Sequence, residues 1–226
     1  MRRKKSKRVA VLWTGGKDSC CALQEARQAG HEVVLLATFL PKDPDFLAHP
    51  VKFMKAQAKA LDLPWIGFSV SEPYRRHYEK GLAELKKKHG IDAVVTGDIS
   101  EVDGLPNWIR ECAREARIEV LTPLWEVDRL SQMQRLLTDG FGVVFSCVKH
   151  RWMKSHWAGK RLDESSLRKL RDLREENGID LCGEQGEFHT LVFEAPCFKK
   201  RIEIQEASIQ MTPELSYLKV HSLRVV

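Results

Sequence analysis

Short apolar runs alternate with longer amphipathic stretches along the chain up to residue 148. Residues 9–13 (VAVLW) read as a buried strand, followed by a glycine turn and a helix over 17–29. Gly30 closes that helix, because glycine tolerates the left-handed conformation just past a helix end. Residues 32–39 are the next predicted strand; their VVLLATF run is wholly apolar, as in strands covered on both faces of a parallel sheet. The alternation continues with a helix over 50–61, a strand over 64–70 and a helix over 74–89 stopped by Gly90. A strand over 92–97, a helix over 107–116, a strand over 118–121, a helix over 128–139 closed by Gly140 and a strand over 142–148 follow. This spacing predicts an α/β fold: an open parallel sheet with right-handed crossovers, whose ligands sit at the carboxyl ends of the strands.

The last third differs. Residues 163–177 form a highly charged predicted helix with Gly178 as its stop, and 190–194, 201–210 and 217–226 alternate like strands with one wet face. The expected organisation is a basic leader (1–8), an α/β domain (9–125) and a smaller C-terminal α+β domain (126–226). Strand 142–148 is apolar throughout and fits either sheet.

Charge narrows the picture. Six of the 37 Lys and Arg residues lie in the leader MRRKKSKR, and the remaining 31 match the 31 Asp and Glu. The net charge of +6 and the pI near 9.0 therefore belong to the leader. That balance speaks against the body-wide basic surface of a dedicated nucleic-acid binder. No stretch free of Asp, Glu, Lys and Arg exceeds nine residues, against the roughly 18 of a membrane span. VAVLW is also shorter than the roughly 7–15 apolar residues of a secretion signal, so a cytoplasmic protein is expected. The six cysteines (Cys20, Cys21, Cys112, Cys147, Cys182, Cys197) form neither a C-x-x-C pair nor a zinc spacing, and reduced thiols are expected.

The strongest chemical signal is T-G-G-K-D-S at Thr14–Ser19, where the first buried strand runs into a helix. Gly15 and Gly16 let the backbone turn sharply and approach an anion closely. The helix starting near Lys17 aims its unsatisfied N–H groups and positive dipole end at that anion. Thr14 and Ser19 add hydroxyls, Lys17 adds a cation, and Asp18 can hold Mg²⁺ or cap the helix. The spacing is neither G-x-x-x-x-G-K-[ST] nor G-x-G-x-x-G. It resembles the S-G-G-x-D-S loop of the N-type ATP pyrophosphatases (the PP-loop superfamily, Rossmann-like in fold), with Thr14 in place of the first Ser. The resemblance implies ATP cleaved between its α and β phosphates, with the loop gripping pyrophosphate while AMP passes to a substrate oxygen. It also places adenine at the backbone of Thr38 and Phe39, where the second strand ends. Gly97 and Asp98 end the fourth strand; Gly97 permits close approach, and Asp98 binds metal, orients a substrate amine or N-caps the following segment.

A second motif, L-C-G-E-Q-G-E-F-H-T at Leu181–Thr190, crowds two acids, two glycines, a His and a Thr into one loop. Glu184 and Glu187 can converge on one cation or amine if Gly183 and Gly186 fold the loop, and His189 can accept a proton near neutral pH. C-G-E-x-G-E-[FY]-H-T resembles the signature of the diphthine–ammonia ligase family. The resemblance covers nearly the whole chain past the leader, including G-D-I at Gly97–Ile99, P-L-W at Pro123–Trp125, L-D-E at Leu162–Glu164 and A-K-A-L-D-L-P ending at Pro64. G-E-Q-G-E looks closer to bacterial members than the E-G-G-E of many archaeal and eukaryotic ones. What it implies is amide formation: ATP adenylates a carboxylate and ammonia displaces AMP. In the family's namesake reaction the carboxylate is that of diphthine, the modified histidine of translation elongation factor two; a bacterial relative acts on another. By this resemblance Lys17, Asp18, Glu184, Glu187 and His189 are expected to be catalytic. Thr14–Ser19, Thr38, Phe39, Gly97 and Asp98 are expected to bind ATP, with Mg²⁺ on Asp18. Gly183, Glu184, Gly186, Glu187, His189 and Thr190 are expected to face the substrate. The partners implied are ammonia and a small-molecule or protein-borne carboxylate, with a homodimer allowed and neither nucleic acid nor membrane.

Basic residues interleave with Trp152 and Trp157 over 149–161, a pattern that can stack on a base, and Trp157 is expected to contact substrate. His49 and His77 are expected on solvated helix faces, and Trp125 in packing. Two other readings compete: a tRNA-thiolating enzyme of the same superfamily using Cys147 or Cys182, and a nucleotide-binding sensor without turnover.

Overall fold

The computed structural model describes residues 5–41, 47–101 and 104–226. The chain runs β1 (Arg8–Leu12), α1 (Lys17–Gln28), β2 (Glu32–Pro41), α2 (Val51–Leu61), β3 (Trp65–Val70), α3 (Tyr74–His89), β4 (Ala93–Val95), α4 (Trp108–Ala116) and β5 (Glu119–Leu121). It continues through α5 (Arg129–Thr138), β6 (Gly142–Lys149), a 3₁₀ turn (Ser155–Trp157), α6 (Glu164–Asn177), β7 (Phe188–Glu194), β8 (Ile202–Met211) and β9 (Leu215–Val225). Two compact units result. One comprises Met1–Thr14, Asp18–Pro44 and Leu63–Trp125; the other comprises Gly15–Lys17, Asp45–Asp62 and Glu126–Val226.

The first unit is the expected α/β fold, a five-stranded sheet in the order β3-β2-β1-β4-β5 with every pairing parallel. Val9, Ala10 and Val11 of β1 and all three residues of β4 are fully buried, which is why these strands sit inside the sheet and lack alternation. Leu82 and Leu85 of α3 and Cys112 and Ala113 of α4 pack with Ala10, Leu35 and Val94. Each fully buried leucine contributes about 1.5–3 kcal/mol. α3 stops at Gly90, whose φ of 62° lets its N–H reach back to the Lys86 carbonyl.

Arg2, Arg3 and Lys4 of the basic leader lie outside the described residues, but its last residues are built into the sheet. Lys7 O accepts from Glu32 N–H (2.8 Å), and the Arg8 N–H donates to Asp92 Oδ2 (2.9 Å). Arg8 pairs with Glu32 at 2.8 Å, and Lys7 pairs with Glu119. Four strand beginnings are thus tied along the amino edge, so Lys7 and Arg8 are built into the first unit.

The second unit carries an antiparallel sheet in the order β7-β6-β9-β8. β6, which the sequence allowed in either sheet, pairs here with β7 and β9. α2 belongs to this unit although it lies within the expected first domain. Phe53, Ala56 and Ala60 on its buried face pack with Val144, Leu191, Ile202 and Leu218. α6 begins with a reciprocal cap: Asp163 Oδ1 accepts from Ser166 N–H (2.7 Å) and Ser166 Oγ accepts from Asp163 N–H (2.8 Å). Among the described residues no helix is long and apolar enough to cross a membrane.

Gly97 stands close against the backbone at the start of α1. A Cβ there would stand 2.6 Å from the Asp18 carbonyl carbon and 2.7 Å from Ser19 N. Gly97→Ala is expected to destabilise the protein by about 1–3 kcal/mol, as overpacking against backbone does. Urea unfolding measures this, and an unchanged midpoint would mean that strand end and helix start are not in such close contact.

Candidate active site

In the first unit the expected nucleotide residues gather at the carboxyl ends of β1, β2 and β4. The Thr38 hydroxyl donates to Trp13 O (2.6 Å) and accepts from Trp65 Nε1 (2.9 Å), which locks the end of β2 to its neighbours. The Phe39 ring stacks on Tyr78 (4.1 Å between centroids) and Phe68 (5.4 Å), so its side chain is core. Burial pushes the Tyr78 phenol up in pKa. Asp98 Oδ2 accepts from Thr96 Oγ1 (2.8 Å) and from Asn107 Nδ2. Asn107 is the N-cap of α4, its Oδ1 accepting from Arg110 N–H at 3.0 Å. Asp98 therefore does not cap the helix itself; it holds the residue that does. Thr14 Oγ1 lies 3.4 Å from Ser19 Oγ, and Asp18 sits in the first turn of α1.

The middle of the glycine loop is organised within the second unit. Gly15 has φ +78°, and its carbonyl accepts from Val192 N–H (3.0 Å) and from Gln57 Nε2 (2.8 Å). Lys17 is 2% exposed. Its N–H donates to Thr190 Oγ1 (3.1 Å), its Nζ donates to Cys182 O, and that ammonium lies 5.6 Å above the Phe188 ring. A buried cation needs partners of this kind to offset lost hydration.

The second motif is folded around Asp180. Its Oδ1 accepts from Cys182 N–H (2.7 Å), and its Oδ2 pairs with Arg129 Nε (3.0 Å). Gly183 (φ +71°) and Gly186 (φ +77°) make the two turns, with Gly183 N–H bonded to Asp180 O and Gly186 N–H to Gly183 O, both 3.0 Å. A Cβ on Gly183 would lie 2.8 Å from Phe188 O, so the loop closes only with glycine there. The turns deliver Glu187 to a buried position, 2% exposed. Its Oε1 accepts from Asp180 N–H (3.0 Å), whereas its Oε2 has no hydrogen-bond partner among the described residues.

Glu187 and His189 line a cavity of about 300 Å³ together with Leu47, Ala48, His49, Cys147, Lys149 and Leu215. The His189 ring meets His49 edge to face at 5.1 Å. Burial, then the charges of Lys17 and Lys149, push the His189 imidazole down to about 4, so it is neutral at physiological pH. Burial also raises the Cys147 thiol. Glu184 is half-buried and does not line this cavity; of the two carboxylates expected to converge, only Glu187 faces it.

Residues 7–119 match the diphthamide synthase N-terminal domain and residues 128–226 match the diphthamide synthase C-terminal domain. The chain belongs to the diphthamide synthase family. Relatives in it are named as ligases. The diphthine–ammonia ligase of Danio rerio is 26% identical, over 96% of this chain and 94% of its own. That of Schizosaccharomyces pombe is 29% identical over 94% of this chain, which spans 39% of the yeast protein. Among solved structures, a predicted subunit of tRNA methyltransferase from Methanocaldococcus jannaschii is similar with a TM-score of 0.42 and 17% identity, over 84% of this chain and 98% of its own.

Set beside the family motifs, Trp157 is a correction. It is 4% exposed and packs edge-on against Phe145 at 5.1 Å, with Lys160 Nζ 5.0 Å over its ring, so it belongs to the core of the second unit. His49 is a second correction: it lies just before α2 and lines the cavity instead of a solvated face. Gln57 and Asp180, which order the two motif loops, were not singled out from sequence. Gln57 left a trace there, as a polar residue on the apolar face of α2; Asp180 left none.

Because His189 is held neutral, the unfolded chain binds more protons than the folded one between pH of about 4 and the ordinary histidine value of 6.5. Stability from this group is full above 6.5 and is expected to fall as pH drops through that window. Titration of the His189 ring signals by NMR should give a midpoint near 4, and His189→Asn should flatten the urea-measured loss of stability between pH 7 and 5. A midpoint near 6.5 would refute the assignment.

Proposed function

We propose that this member of the diphthamide synthase family is an ATP-dependent amide ligase that adenylates a carboxylate and passes its acyl group to ammonia, releasing AMP and pyrophosphate. One observation carries the reading: the glycine loop and the C-G-E-Q-G-E-F-H-T loop are joined directly, Lys17 N–H to Thr190 Oγ1. Residues suited to polyphosphate and residues suited to an acyl acceptor therefore adjoin each other within the second unit.

The chain's own groups supply the steps. Gly16 and the first turn of α1 present backbone dipoles to the phosphates, and Lys17 adds a fixed positive charge. A carboxylate oxygen of the substrate attacks the α-phosphorus and pyrophosphate leaves with the bridging oxygen. Ammonia then attacks the acyl carbon, AMP departs, and the nitrogen gives up a proton as the amide forms. His189 lines the cavity with a neutral ring whose nitrogen can accept a hydrogen bond from the attacking ammonia. Its lowered pKa makes it a weaker base than an ordinary histidine, so the proton passes to solvent. Glu187 Oε2 is the acceptor for an N–H or cationic group of the substrates. Asp18, in the first turn of α1, would offer Mg²⁺ a single carboxylate. Such an ion usually keeps several waters and takes one or two carboxylates plus phosphates; when bound it would neutralise developing phosphate charge. The relatives' name makes diphthine the first carboxylate to test, and the bacterial-type G-E-Q-G-E makes other carboxylates the second. tRNA thiolation needs a reactive cysteine, whereas Cys147 and Cys182 are both buried and the Cys147 thiol is raised.

Asp18→Ala is expected to lower ATP-dependent pyrophosphate release by more than about 100-fold, the scale of losing one group that stabilises transition-state charge. Release at the unmodified rate would sink the loop assignment.

A further inference from the structure

Gln57 is fully buried (0% exposed) on α2, among Phe53, Met54, Ala56, Ala60 and Leu61. Burying a carboxamide is unfavourable unless its polar atoms are bonded. Its Nε2 directs both hydrogens to backbone carbonyls, Gly15 O at 2.8 Å and Val192 O at 2.7 Å. Val192 N–H converges on the same Gly15 O at 3.0 Å. One amide group thus braces the first glycine of the phosphate loop against β7 from the side of α2. It also fills the space a side chain at Gly15 would need: a Cβ there would lie 2.4 Å from Gln57 Oε1, at a φ of +78°.

This brace dictates how the loop presents itself. The Gly15–Gly16 peptide is planar and trans, so fixing the carbonyl with two donors turns the Gly16 N–H to the opposite side, away from Gln57 and Val192. Two residues on, the Lys17 N–H is held by Thr190. The backbone between these points has little freedom left.

The geometry points to Gln57 as a positioning residue of the phosphate loop: acting through the Gly15 carbonyl, it presets the backbone that grips the outer phosphates and touches no reacting atom. This rests on reading Thr14–Ser19 as the ATP-phosphate site. A glutamine that only filled the core would support every ligand equally, whereas one that shapes the loop matters to polyphosphate alone.

The test uses the full chain with Gln57→Met, which keeps the size and deletes both donors, and Gln57→Glu, which sets an acceptor against two carbonyl oxygens. Calorimetric titration with ATP, pyrophosphate and adenosine is compared, with thermal unfolding recorded for each variant. Affinity for ATP and pyrophosphate is expected to fall about tenfold in Gln57→Met, the scale of one lost charge-assisted contact, and further in Gln57→Glu, while adenosine binds as before. Unchanged ATP affinity in both variants overturns the proposal. So does adenosine affinity lost in parallel with ATP, or unfolding of both variants at the assay temperature, because Gln57 would then support the fold at large. If the unmodified protein binds neither ATP nor pyrophosphate, the phosphate-loop reading falls as well, a result separate from all the others.

Discussion

A glycine loop has no side chains of its own to fix its shape, so its carbonyls gain from partners elsewhere in the chain. Here the requirement is met at Gly15, whose oxygen takes one hydrogen bond from β7 and one from α2. Much of the second unit follows from that. α2 must present a buried glutamine, β7 must align Val192 and Thr190 with the loop, and the packing of Phe53, Ala56 and Ala60 on Leu191 and Val144 keeps helix and strand at the right separation. The first unit answers the same requirement at the other end of the loop, where Gly97 yields its side chain so that the backbone at Asp18 and Ser19 can come close.

Electrostatics runs through the same residues. Lys17 is a buried cation whose ammonium donates to the Cys182 carbonyl and lies over the Phe188 ring. With burial, and together with Lys149, its charge helps hold His189 neutral. Glu187, whose buried Oε2 has no hydrogen-bond partner among the described residues, lines the same cavity as His189.

Most elements of the fold were legible in the sequence because apolar runs and glycine stops agree. Gly30, Gly90 and Gly178 all adopt positive φ at helix ends, as their positions after periodic segments implied. The placement of β6 was not legible, since a strand buried along its whole length has no alternation to say which sheet it faces. Nor was the allegiance of α2, whose amphipathic face looks the same whichever unit covers it. Both motif loops were readable from the residue types they crowd together, but their ordering residues were not. Asp180 reads as an ordinary polar residue until the Arg129 ion pair and the backbone bonds of the loop are seen. Trp157 misled for the opposite reason: basic neighbours suggested a stacking surface, while the ring itself packs inward on Phe145.

The contacts that shape the glycine loop have a bearing on how the protein comes into being. Lys17 finds Thr190 across 173 positions of chain and Cys182 across 165. Closing loops of that length is slow and entropically costly relative to forming neighbouring strands and helices. A growing polypeptide can therefore pair β2 with β1 and β3 long before residues 182–192 exist to complete the loop. The glycine loop reaches its final geometry only after segments far downstream have been made, and a chain interrupted before β7 carries the T-G-G-K-D-S letters without the braces that give them a shape.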